Sequence, residues 1–285
     1  RQKPDIPGLE LLLARAQAGG IGIPDLAFTS SEIQSLAQKR QHYLSNDQAR
    51  MLSEQTEGWI TGILLPTLLH SQERGEILQG AQSTRTDLAD YWGLLLNEQP
   101  QDIQEFYLYS SPLDEFDASL CETVLRPTVY SHDVDWNGLL DAVLQRNLFV
   151  LPVGEDAAWL RYHSLFQDYL RARLEREQPG IMQRILRQLV AVYKDLGNWE
   201  KAYDTCQRLD DVAATIDVIE QAGPTLLKYG RLDILTKWLD SIPASLLTSH
   251  PGMLSLKGVV ALSGNNPRQG LELLSQAEAG FRASG

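Results

Sequence analysis

The chain has 285 residues, 43% of them apolar and 22% charged, a composition that fits a globular protein and excludes a disordered or fibrous one. Acidic residues outnumber basic ones 37 to 25, for a net charge of −12. That balance excludes a segment that grips nucleic acid by itself, because phosphate contacts need clustered lysine and arginine. No apolar run approaches membrane-spanning length, no secretory leader is visible, and Cys121 and Cys206 supply neither a metal nor a disulfide framework, so a cytoplasmic protein without membrane contact is expected.

The length predicts two or three domains. The chain begins at Arg1 and stops at Gly285 within a helical pattern, so it reads as a segment excised from a longer protein. The expected fold is mainly α: a small helical lid, a winged helix with a β-hairpin wing, then helical repeats of the tetratricopeptide type.

Residues 1–25 read as the tail of a preceding domain. Leu9, Leu11, Leu12, Leu13 and Ala16 suggest a short apolar helix that Gly19-Gly20 stops. Residues 26–75 form the predicted lid. Thr29-Ser30-Ser31-Glu32 and Ser45-Asn46-Asp47-Gln48 are both capping boxes, in which the first and fourth side chains satisfy each other's backbone N–H. After the second box, Ala49, Met51 and Leu52 are expected to face inward along a helix ending near Gly58. Trp59-Ile60-Thr61-Gly62 then opens an apolar helix that Pro66 kinks. The polar stretch 73–86, with Gly75 and Gly80, reads as a linker.

Residues 76–175 form the predicted winged helix. Leu88, Trp92, Leu95 and Leu96 make one helical face, and Pro100 starts a second helix carrying Ile103, Phe106 and Tyr107. Phe116, Leu120, Cys121 and Val124 make a third. Asp135 caps a fourth, with Leu139, Leu140, Val143 and Leu144. Two short strands, 148–153 and 158–162, joined through Gly154, make the wing. A DNA-binding wing is disfavoured: from Asp87 to Leu160 there are fourteen Asp or Glu against Arg126 and Arg146 alone. The arginines that follow, Arg161, Arg171, Arg173, Arg176, Arg184 and Arg187, read as a solvated face or as partners for the acidic domain.

Residues 176–285 are predicted to be a helical arm and the start of a superhelical sensor. Gly197, Gly230 and Gly264 lie 33 and 34 positions apart, each near an expected inter-helix turn, the period of tetratricopeptide repeats. Irregular helices are expected near Gly223-Pro224 and Ile242-Pro243.

The strand-to-helix junction Trp159-Leu160-Arg161-Tyr162-His163-Ser164-Leu165-Phe166 is the most informative stretch. His163 falls where a new helix begins, and the N–H groups of a first turn favour an anion. By residue type it reads either as a histidine hydrogen-bonded at a strand end or as a phosphate contact. Trp59 likewise reads as core packing or as part of a site.

This junction resembles the end of the winged-helix domain in the STAND-class regulatory ATPases, and most closely the LuxR/MalT-like transcription activators. In the apoptosome ATPases and plant resistance proteins of that class, the matching Met-His-Asp motif places its histidine on the β-phosphate of ADP. Here Tyr162 and Ser164 replace the methionine and the aspartate, and His163 is kept. The resemblance implies that His163 senses ADP and that Arg1 is the first sensor of the nucleotide domain. It also implies that Trp59-Ile60 is the adenine-contacting turn, with Ile60 where the family carries proline.

It further implies that ADP, or ATP with Mg, is held in the full-length protein against its own nucleotide-binding domain. Exchange to ATP would then allow self-assembly. An effector or regulatory protein is expected at the repeats, and a DNA-binding helix-turn-helix beyond Gly285. There is no G-x-x-x-x-G-K-[ST], no nucleophile elbow and no metal-ligating cluster, so the segment itself is expected to catalyse nothing. The alternative function is a nucleotide-independent scaffold of helical repeats for protein interaction.

Overall fold

The computed structural model describes residues 26–39, 43–56, 58–59, 81–146, 149–154, 158–264 and 266–284. Arg1, Ile60, the helix expected over 9–16 and the apolar helix after Trp59 lie outside the described residues. The chain divides into two compact units, residues 1–182 and 183–285.

In the first unit, helices α1 (Ser30–Lys39) and α2 (Asn46–Thr56) pack against each other through Ile33, Ala37, Leu44 and Ala49. Both capping boxes form: the Thr29 N–H donates to Glu32 Oε2 at 2.9 Å, and the Ser45 N–H donates to Gln48 Oε1 at 2.9 Å. The reciprocal bonds, from the Glu32 and Gln48 N–H groups back to the hydroxyls, are present too. Met51 does not face inward; it is exposed, because Ala49 and Leu52 alone point into the α1–α2 seam. Helix α3 (Ala81–Asn97) begins inside the stretch expected to be linker, so residues 81–86 are helical.

The next helices are α4 (Gln101–Ser110), α5 (Ala118–Val124), the single turn α6 (Arg126–Val129) and α7 (Trp136–Arg146). Pro100 precedes α4 as expected. Phe116 is not part of the third helix. Asp117 caps α5 by accepting from the Leu120 N–H at 2.7 Å, which ends the extended chain at Phe116. Phe116 instead exchanges two backbone hydrogen bonds of 2.8 Å with Leu160. The wing is an antiparallel pair, β1 (Val150–Val153) and β2 (Trp159–Tyr162), with Val150 opposite Tyr162. Helix α8 (Ser164–Glu177) follows β2 directly and buries Phe166, Leu170 and Leu174 against α4 and α3. Arg171 bridges to Asp114, one of the partnerships expected between these arginines and the acidic domain.

Helix α9 (Ile181–Asp195) leads into the second unit. There α10 (Trp199–Leu209), α11 (Val212–Lys228), α12 (Leu232–Asp240), α13 (Ala244–Ser249), α14 (Pro251–Ser263) and α15 (Pro267–Ser284) follow, with α11 packed against α10, α12 and α14, and α14 against α15. Tyr203 and Trp238 stack at 4.3 Å between ring centres and 8° between planes. The first two turns are alike. Gly197 and Gly230 adopt φ of +67° and +69°, and the next residue's N–H reaches back past the usual helical partner, Asn198 to Tyr193 and Arg231 to Leu226. Glycine suits that left-handed site because it lacks a Cβ. The third turn departs from the period: Gly264 has φ of −90°, and Asn266 makes the long bond, to Ala261. Pro224 sits inside a continuous α11, whereas the chain does break at Ile242-Pro243.

Candidate functional site: the lid and winged-helix junction

His163 is the residue between β2 and α8. Its N–H donates to the Phe149 carbonyl at 2.8 Å, one step beyond the β1–β2 ladder, and its carbonyl accepts from the Gln167 N–H to begin α8. Its side chain does not cap the helix. The ring is 6% exposed and turned toward the lid, where Nε2 lies 2.9 Å from the Thr56 carbonyl at the end of α2. A carbonyl only accepts, so Nε2 carries the proton. That bond assigns the tautomer and ties the winged helix to the last turn of the lid helix.

Trp59 meets the same ring. Its centre lies 5.4 Å from that of His163, at a tilt of 56°. Trp59 arrives there because α2 is closed by a tight turn: the Gly58 N–H returns to Ser53, the Trp59 N–H returns to Thr56, and the Phe28 N–H reaches the Gly58 carbonyl. Gly58 has φ of +70°, and a Cβ there would come within 2.7 Å of the Phe28 nitrogen, so only glycine fits. Trp59 also lies parallel to Trp92 of α3 at 6.3 Å. Trp92 in turn contacts Phe149, Phe166 and Tyr169. The junction is thus an aromatic cluster with one imidazole at its lid-facing edge.

Below it lies the winged-helix core. Tyr162 is fully buried, its hydroxyl shares a hydrogen bond with Ser110, and its ring contacts Tyr107, Phe116 and Phe166. Burial pushes the Tyr162 hydroxyl well above the ordinary tyrosine range. In the methionine position of the family motif, Tyr162 therefore serves packing. Burial likewise raises the Cys121 and Cys206 thiols, the latter to about 11, which keeps both protonated near neutrality.

Of the four residues expected to contact nucleotide, two are described, and they stand together: Trp59 and His163, 104 positions apart in the chain. Arg1 and Ile60 lie outside the described residues. Sequence reasoning missed Phe149, whose ring packs beside Trp59, and the Thr56 carbonyl. A backbone acceptor leaves no trace in side-chain pattern. Among the described residues, no group of three or more His, Cys, Asp or Glu is placed to hold a metal ion.

A buried histidine and a lid tryptophan meeting at the root of the β-hairpin, ahead of paired helices, define a winged helix joined to helical repeats. The family model described as the MalT winged helix domain matches residues 93–181. Proteins named HTH-type transcriptional regulator MalT are similar along most of the chain. Those of Vibrio parahaemolyticus and Vibrio campbellii are 24% and 23% identical over 90% of it, and that of Yersinia pestis is 25% identical over 95%. The chain covers 29–30% of those proteins, less than a third of their length. Residues 93–181 thus resemble the MalT winged helix, the likeness that the His163 junction implied.

Proposed function

We propose that the chain is the switch and sensor segment of an ATP- or ADP-controlled, effector-responsive transcription regulator. In the resting state the winged helix and the lid close together over ADP held by the nucleotide-binding domain, with His163 toward the β-phosphate and Trp59 toward the base. The repeats receive the inducer or a regulatory protein and bias the closed state, and release permits self-assembly. The winged-helix domain does not contact nucleic acid, given fourteen acidic residues to two arginines between Asp87 and Leu160.

The observation that carries this reading is the meeting of Trp59 and His163 in one aromatic junction, bridged by the Thr56 carbonyl. The histidine is thereby fixed to the element that would move when nucleotide leaves. With Nε2 directed at Thr56, a phosphate contact engages the other ring nitrogen or needs a turn of the ring. The test is ADP release from the full-length protein. His163→Ala should speed ADP dissociation at least about tenfold, the loss of one charge-assisted hydrogen bond. An unchanged rate would remove His163 from the switch.

A further inference from the structure

Phe149 stands immediately before β1 in a backbone conformation, φ of +57°, that bulky side chains avoid. Three rings hold it there, each from a different element. Trp59 of the lid meets it edge-on at 4.8 Å, Phe166 of α8 lies at 5.0 Å, and Trp92 of α3 lies at 6.1 Å. Its carbonyl accepts the backbone N–H of His163 at 2.8 Å. One residue therefore touches the lid with its ring and holds the histidine with its backbone, in a conformation that needs outside support.

We propose that Phe149 is a strained wedge that couples the position of the lid to the seating of His163. With the lid docked, Trp59 completes the cage that keeps Phe149 left-handed. When the lid departs, the cage loses its outer wall, Phe149 relaxes to negative φ, and its carbonyl swings off the His163 N–H. The end of the β1–β2 ladder then frays and the histidine loses its fixed aim. Lid opening thus unseats the imidazole through the backbone, in addition to breaking the Thr56 bond. The biological consequence rests on the nucleotide-switch reading, but the coupling itself is a property of this chain without nucleotide.

The strain separates this wedge from ordinary packing. Phe149→Ala and Phe149→Gly both remove the ring, but only glycine accepts positive φ freely. Spin labels at the exposed positions Glu54→Cys on α2 and Asp141→Cys on α7 report the docked and undocked lid as two distance populations, while Cys121 and Cys206 are buried and do not label. Both variants of the 285-residue chain should dock less than wild type, and the glycine variant roughly fivefold better than the alanine variant. Equal docking by the two, weaker docking by glycine, or wild-type docking by either overturns the wedge.

A second measurement leaves Phe149 in place. Trp59→Ala should speed amide exchange at His163 at least about tenfold while exchange in the α4 and α8 core stays unchanged. An unaltered His163 amide also overturns the coupling. Because no nucleotide is present in either experiment, failure here leaves the ADP reading standing, and failure of ADP binding leaves the wedge standing.

Discussion

Replacing His163 by alanine should loosen the lid before any nucleotide is considered. Two interactions go. The first is the Nε2–H bond to the Thr56 carbonyl; that carbonyl keeps the Trp59 N–H, so it is not stripped of donors and the loss is about 0.5–1.5 kcal/mol. The second is the ring contact with Trp59 at 5.4 Å, worth about 0.5–1.5 kcal/mol. Together they weaken docking by about 1–3 kcal/mol, or roughly 5- to 150-fold. Amide exchange at Gly58 and Trp59, whose N–H groups close the turn after α2, reads this out residue by residue. Both should exchange faster by that factor, with the Ser110 and Tyr162 region unmoved. His163→Gln, whose amide can donate to Thr56, should recover the hydrogen-bond share only. Exchange at Trp59 within twofold of wild type in the alanine variant would show that the imidazole does not hold the lid.

Two further outcomes test the surrounding fold. Gly58→Ala forces a Cβ against the Phe28 backbone at positive φ, and should destabilise the α1–α2 lid by more than about 1 kcal/mol, seen as faster exchange across 45–59. Trp238→Ala removes the 5%-exposed partner stacked on Tyr203, and should cost about 3–5 kcal/mol in urea unfolding of residues 183–285, leaving the winged helix intact by circular dichroism. A loss under about 1 kcal/mol would mean that the stack is peripheral to the repeat core.

What was legible in the sequence was local. Capping boxes at Thr29 and Ser45 form because both partners lie within one turn, so no distant contact decides them. The wing was readable from two β-rich runs flanking Gly154, which takes φ of +79°. Errors arose where one pattern admits two structures. Phe116 and Leu120 are spaced like a helical face, yet Asp117 starts the helix after Phe116 and leaves that residue to pair with Leu160. Residues 81–86 lack apolar periodicity, so their pattern predicts a linker where α3 begins. Gly264 keeps the repeat spacing without the left-handed φ of Gly197 and Gly230, because spacing reports where a turn falls and not how it is built.

The site divided in the same way. His163 and Trp59 could each be singled out by residue type and by resemblance. Their meeting could not, because it depends on a lid turn closing 104 positions upstream of the histidine. Phe149 falls inside the strand expected over 148–153, yet β1 begins at Val150: a left-handed phenylalanine packed among rings from three other elements leaves no mark in the strand pattern.

The most direct observation is the distance from the His163 ring to the β-phosphate in the ADP-bound full-length protein. Hydrogen-bond reach, about 3 Å from a ring nitrogen, is the expected result. An imidazole still bonded to Thr56 and separated from the diphosphate by intervening protein would contradict the nucleotide clamp and leave the junction as a lid fastening alone.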